Sequence, residues 1–304
     1  MLKSILVVTL LVGSVPEAEQ AYERELGYRT VDEGRIDASL AETWQAPLAA
    51  GRAFVLMQPE SGENVFLRFV QTDGPGNYEP MKTTGWNAVE LQATDPDTLV
   101  TELPPEQFEL IGPPRYLTEQ QNIRAAQVLG PHRELLYFTH VLDPGLSRFR
   151  IGTAVTRVDR VFIMVLGTTN LAATTTFYEE MLGMPVSGPF PYRVSVLSEA
   201  WDLPEDTLHD LSIVQLEAEF LIEIDAYPEG APRRSPTAAG LPYGPAIVGF
   251  QVASLDGVAK QSGRPVRVLD QAPYDGREVL FLAGPSGEGI ELIASRVVAG
   301  RESP

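Results

Sequence analysis

Two glutamates in this chain sit where strand geometry could put them to chemical use. In "FLIEIDAY" strict alternation sends Phe220, Ile222 and Ile224 to one face and Leu221, Glu223 and Asp225 to the other. In "GIELIA" Ile290 and Leu292 pack while Glu291 faces the opposite side. If both strands line one cleft, the two carboxyls disfavour each other's ionised form, and one gains the raised pKa that suits an acid or base near neutral pH. Arg160, facing the same cleft, would hold a substrate carboxylate or a developing enolate. The other reading of the same residues is structural: two solvated strand-end glutamates with Arg160 as their surface partner.

The first half of the chain offers a recognition set instead. Alternation groups Ala88, Glu90 and Gln92 on one face of a strand, and puts Arg68 and Tyr137 on faces that would line a cup. Around an otherwise apolar concavity these groups suit a small carbonyl or polar-headed aromatic compound. An internal Arg68–Glu90 ion pair closing the cup is equally compatible with the pattern. Gln251 is the second-half counterpart of Gln92, and Trp201, Trp86 and Trp44 are placed to wall a pocket or to fill a core. The three histidines, His132, His140 and His209, fall in turns or beside strand ends and read as solvated polar residues rather than metal ligands.

Composition removes several chemistries. There is no cysteine, hence no disulfide, thiolate metal site or cysteine nucleophile. Gly-x-Ser-x-Gly, Gly-x-Gly-x-x-Gly and a phosphate-cradling lysine loop are all missing. A net charge of -18, from 41 acidic against 23 basic residues, repels phosphate backbones and anionic lipid. Small molecules are the expected partners, with no nucleic acid and no membrane, and a homodimer is allowed.

The elements that must position these residues are written in duplicate. "AYERELG" (21–27) follows the apolar run "SILVVTLLVG", and "FYEEMLG" (177–183) follows "RVFIMVLG". Each predicts a strand followed by a helix burying one stripe, Val15, Ala18, Tyr22 and Leu26 in the first copy and Leu171, Tyr178 and Leu182 in the second. Gly27 and Gly183 then end the helices. Further on, "AVELQATDPD" matches "IVGFQVASLD", and the Gly-Pro turn of "QVLGPHRELLYF" matches that of "FLAGPSGEGIEL". Within each half the strand, helix, strands order also occurs twice, which gives four βαβββ modules at 1–71, 86–141, 158–226 and 246–295. The expected domains are 1–142 and 157–304, joined by a linker at 143–156. The N-terminal "MLKSILVVTLLVGS" reads as a β-branched strand leading into a Ser14–Glu17 capping box rather than a secretory leader, and a cytoplasmic location is the expectation.

Four such modules, with "FYEEMLG" and two Gly-Pro-x-x-Glu turns, resemble the vicinal oxygen chelate superfamily of glyoxalase, bleomycin-resistance and extradiol dioxygenase proteins. The resemblance implies an α+β fold in which paired modules form glyoxalase-like domains with concave mixed sheets. It also implies a divalent metal held by His, Gln or Glu on the first strand and Glu on the last strand of each module. Aligned on the helices, the first-strand positions are Val7, Ala88, Arg160 or Ile163, and Ile247, none of which binds a metal. The last-strand positions are Arg68, Tyr137, Glu223 and Glu291. No cofactor is therefore expected.

The leading expectation is a small-molecule-binding protein or a metal-independent lyase or isomerase. Its catalytic set would be Glu223, Glu291 and Arg160, with Arg68, Glu90, Gln92, Tyr137, Gln251 and Trp201 in recognition. The alternatives are a metal-dependent lyase or dioxygenase using Glu223 and Glu291, and a non-catalytic interaction module.

Overall fold

A computed structural model describes residues 1–295. The tail at 296–304, assigned above to the second domain, lies outside the described residues. The first module contains β1 (Leu2–Val12), α1 (Val15–Leu26), β2 (Arg29–Arg35), a short α2 (Ala38–Thr43), β3 (Ala53–Gln58) and β4 (Phe66–Gln71). The second contains β5 (Gly85–Ala93), α3 (Pro96–Glu102), β6 (Glu109–Tyr116), β7 (Ile123–Leu129) and β8 (Leu135–Val141). The third is β9 (Val158–Thr168), α4 (Leu171–Glu180), β10 (Val186–Arg193), a short α5 (Ser195–Ala200), β11 (Leu208–Gln215) and β12 (Leu221–Ala226). The fourth is β13 (Gly244–Val252), α6 (Asp256–Ser262), β14 (Arg267–Leu269), β15 (Arg277–Ala283) and β16 (Gly289–Ala294).

Local chemistry accounts for these boundaries. Ser14 caps α1 by accepting the Glu17 backbone N–H, and Gly27 closes the helix at φ 72°. Gly183 plays the same part after α4 at φ 64°. The residues of the N-terminal apolar run form β1, a central strand buried on both faces. Among the described residues no helix is long and apolar enough to cross a membrane.

The modules pair in an order that the duplication does not suggest. One sheet runs β14-β15-β16-β13-β1-β4-β3-β2 and joins the first module to the fourth. The other runs β10-β11-β12-β9-β5-β8-β7-β6 and joins the second to the third. At the centre of each sheet two module-opening strands lie antiparallel, β1 on β13 and β5 on β9. Each sheet therefore takes one module from either half, and the division at 143–156 follows the repeat but not the sheets.

The helix-bearing faces of both sheets share one core. Val8 and Leu10 of β1, Val89 and Leu91 of β5, and Tyr22, Leu99 and Tyr178 of the helices belong to it. Each such side chain contributes roughly 1.5–3 kcal/mol when fully buried. The Trp86 indole crosses between the sheets, donating to the Gly289 carbonyl at 2.7 Å and packing on Phe250. The opposite, concave faces are left for two cups.

Candidate functional site

The first cup, on the sheet of the first and fourth modules, is filled by the protein itself. Helix α2 and the 269–274 segment press Leu40, Trp44, Leu269 and Tyr274 onto Val7, Leu11 and Ile247. Glu291 and Arg68 are both fully buried beneath them. The Trp44 indole N–H donates to Glu291 at 2.6 Å, and the Tyr274 hydroxyl reaches both carboxylate oxygens, at 2.7 and 2.8 Å. Arg68 completes the chain by donating to the Tyr274 hydroxyl at 2.9 Å and to the Ala272 carbonyl at 3.1 Å, with its guanidinium over both aromatic rings. Burial raises the Glu291 pKa, while the Arg68 charge and the two donors oppose that rise. This is a buried polar network covered by the protein's own side chains.

The second cup is open. On the sheet of the second and third modules, a hollow of about 310 Å³ lies over β5, β8, β9 and β12. Glu90 on β5 stands opposite Ile163 of β9 and beside Tyr137 of β8, and Glu223 on β12 stands beside Val165. Glu90, Tyr137, Thr139 and Gln127 are buried at its floor, and Glu223 is half-buried in its wall. Phe149, Phe162, Phe190, Tyr192, Leu211 and Ile213 supply apolar sides.

Desolvation dominates the electrostatics of the floor. It pushes the Glu90 carboxyl up to about 8, helped by the Glu223 charge and opposed by a 2.6 Å hydrogen bond from the Thr139 hydroxyl. Glu223 rises to about 7 for the same reason, with a hydrogen bond to Asp225 opposing. Asp225 is raised as well, by burial first and then by the Glu223 charge. At neutral pH the floor thus carries a protonated donor beside a carboxyl that can accept, the arrangement required for proton transfer.

The structure redistributes the residues expected from sequence. Glu223 and Glu291 do not share a cleft, because β12 joins one sheet and β16 the other. Arg68 and Glu90 are separated in the same way, so no ion pair forms between them, and only Glu90, Tyr137 and Glu223 meet in the open cup. Arg160 is outside it. Strand β12 begins at Leu221 opposite Ile163, which leaves Arg160 level with the preceding turn, where it pairs with Glu219 at 3.1 Å and Glu63 at 3.6 Å over the Phe220 ring. Gln92 is buried near Arg160 and Glu219, with its Nε2 lacking a partner. Gln251 is half-buried on β13 opposite Ser4. Trp201 donates to the Met81 carbonyl at 2.9 Å and packs in a small cluster with Val196 and Leu197. His132 and His209 are buried rather than solvated, bonded to the Ser14 carbonyl and the Ser198 hydroxyl at 2.9 Å each.

Sequence reasoning missed the mouth. Ser147, Arg148, Phe149 and Ile151 come from the segment expected to be a plain linker, and Tyr192 and Arg193 from the end of β10. The signal was an alternation of arginine and aromatic residues in an otherwise acidic chain. Gln127 was also overlooked; it packs under Gly112, where an added Cβ would stand 1.8 Å from Oε1.

The divalent metal that the resemblance implies does not fit these residues. One cup presents the Arg68 cation where an anionic ligand is needed. The other presents Ile163 and a phenol beside carboxyls that burial drives toward their neutral form. Among the described residues no group of three His, Cys, Asp or Glu side chains could hold a metal ion.

Comparison with solved structures agrees with the architecture. The chain is similar to glyoxalase I from Zea mays, at 13% identity and a TM-score of 0.60 over 96% of this chain and 92% of that one. It is also similar to a "putative dioxygenase" from Bacillus subtilis, at 12% identity and a TM-score of 0.61 over 97% and 86%. No protein-family model matches the sequence, and no curated protein matches it. The fold, two curled mixed sheets, is the one seen in these two structures.

Proposed function

We propose that this protein, built on the glyoxalase/dioxygenase fold, binds a hydrophobic or carbonyl-containing small molecule in the cup of its second and third modules. One observation carries the reading. Of two cups made from the same module type, one is filled by its own side chains and the other is an open apolar hollow with a polar floor.

The floor supports metal-independent proton transfer next to a carbonyl, as in a lyase or isomerase. Glu90, protonated at neutral pH, donates toward the carbonyl oxygen, and Glu223 takes the proton from the adjacent carbon. Tyr137, whose hydroxyl burial keeps firmly protonated, is a second donor on the same floor. Apolar walls exclude water and strengthen each of these contacts.

Nile red, a neutral dye that brightens in apolar surroundings, tests the binding step. Its emission should rise with the wild-type protein and fall back in Leu211→Trp, which fills the rim. Equal emission from both proteins rules out this cup as the binding site.

A further inference from the structure

Three arginines stand at the mouth of the open cup: Arg115 half-buried, and Arg148 and Arg193 exposed. Elsewhere in this acidic chain, arginines such as Arg29, Arg124 and Arg157 are engaged by carboxylates. Among the described residues none of the three mouth arginines has an ion-pair partner within 4.0 Å. Arg148 is held instead by aromatic faces, 4.6 Å from the Phe190 ring centre and 5.8 Å from that of Phe149, which leaves its guanidinium edge open to an anion. Arg115 lies close enough to the Tyr137 and Tyr192 hydroxyls to stabilise their ionised forms, so its charge acts on the hollow itself.

Resting on the function proposed above, we infer that the ligand is an anionic amphiphile, an aromatic or similarly compact apolar body ending in a carboxylate-like group. The body lies against the aromatic walls, and the anion sits at Arg115, Arg148 and Arg193. The polarity of the hollow sets this direction. An anion placed inward would meet Glu90 and Glu223, whereas one at the mouth meets three cations that carry no other counter-charge.

Three probes on one ring system separate this inference from the function on which it rests: 2-naphthoate, its planar isostere 2-naphthamide, and 2-naphthylmethylammonium. With the wild-type protein, 2-naphthoate should bind roughly tenfold or more tightly than 2-naphthamide, since a charge-assisted contact is the stronger kind. The ammonium should be the weakest. In R115Q/R148Q/R193Q the preference should collapse to about one. Should that variant not fold, salt titration of the wild type reads the same contact, with added salt weakening the naphthoate alone. Equal binding of naphthoate and naphthamide, or a preference that survives both the substitutions and salt, overturns the arginine assignment and leaves the cup intact. Absence of binding by all three probes, together with no Nile red response, overturns the cup and this inference with it.

Discussion

The Tyr22 hydroxyl donates to Oε1 of Glu134 at 3.0 Å, tying the helix of the first module to the Gly-Pro turn of the second. Oε2 of Glu134 takes the His132 backbone N–H at 2.8 Å, so the turn and the helix share one buried carboxyl. In the other half Glu288 accepts the Ser286 N–H at 2.8 Å and lies near Tyr178, whose hydroxyl has no hydrogen-bond partner. "AYERELG" and "FYEEMLG" therefore recur because each supplies the tyrosine that faces the glutamate of its half's second module. In both halves this contact crosses from one sheet to the other.

The two tyrosines should respond differently to losing their hydroxyls. Tyr22→Phe breaks a made hydrogen bond to a buried carboxyl and should cost about 1–2 kcal/mol. Tyr178→Phe removes an unpaired buried hydroxyl and should be neutral or slightly stabilising. Urea unfolding of both variants measures the difference, and equal losses would contradict the geometry.

Stability should decline as pH rises through the neutral range. The Glu90, Glu223, Glu134 and Glu288 carboxyls are all raised by burial, to about 8 for the first and about 7 for the other three. For an acid whose folded pKa lies above its unfolded one, the native state holds more protons. Its contribution is thus complete below the unfolded value and is lost as pH climbs past the folded value. The melting temperature at pH 6.5 should exceed that at pH 8.5, and Glu90→Gln should narrow the gap. Below pH 6.5 the lowered pKa values of His132 and His209, both caused by burial, work in the opposite sense.

Coupling across the open cup can be read by carboxyl-selective NMR. Because the Glu223 charge helps to raise Glu90, Glu223→Gln should lower the apparent pKa of the Glu90 carboxyl. An unchanged Glu90 titration would mean that the two groups do not share the floor.

The filled cup should matter to folding and not to ligands. Glu291→Ala leaves Arg68 buried without its counter-charge, with an expected cost on the order of 3–5 kcal/mol. At a temperature where the variant is folded, Nile red emission should match that of the wild type. A variant of wild-type stability would show the network to be dispensable.

Much of the fold was legible because it is written in short-range patterns. Helix ends follow from Ser14, Gly27 and Gly183, and the alternation in 220–225 separates Ile222 and Ile224, which pack in the shared core, from Glu223, which does not. The four-module order also came from local repetition. The expected pairing of Glu223 with Glu291 nevertheless fails, because β12 and β16 belong to different sheets.

Sequence by itself thus determined the module, its repetition and its caps, since each depends on neighbours a few residues away. Tertiary structure alone decided that β1 pairs with β13 and β5 with β9. All four strands are largely buried on both faces and carry no local mark of which other they will meet. That single choice sent Glu291 to Arg68 and Glu223 to Glu90, and it separated a closed polar core from an open cup.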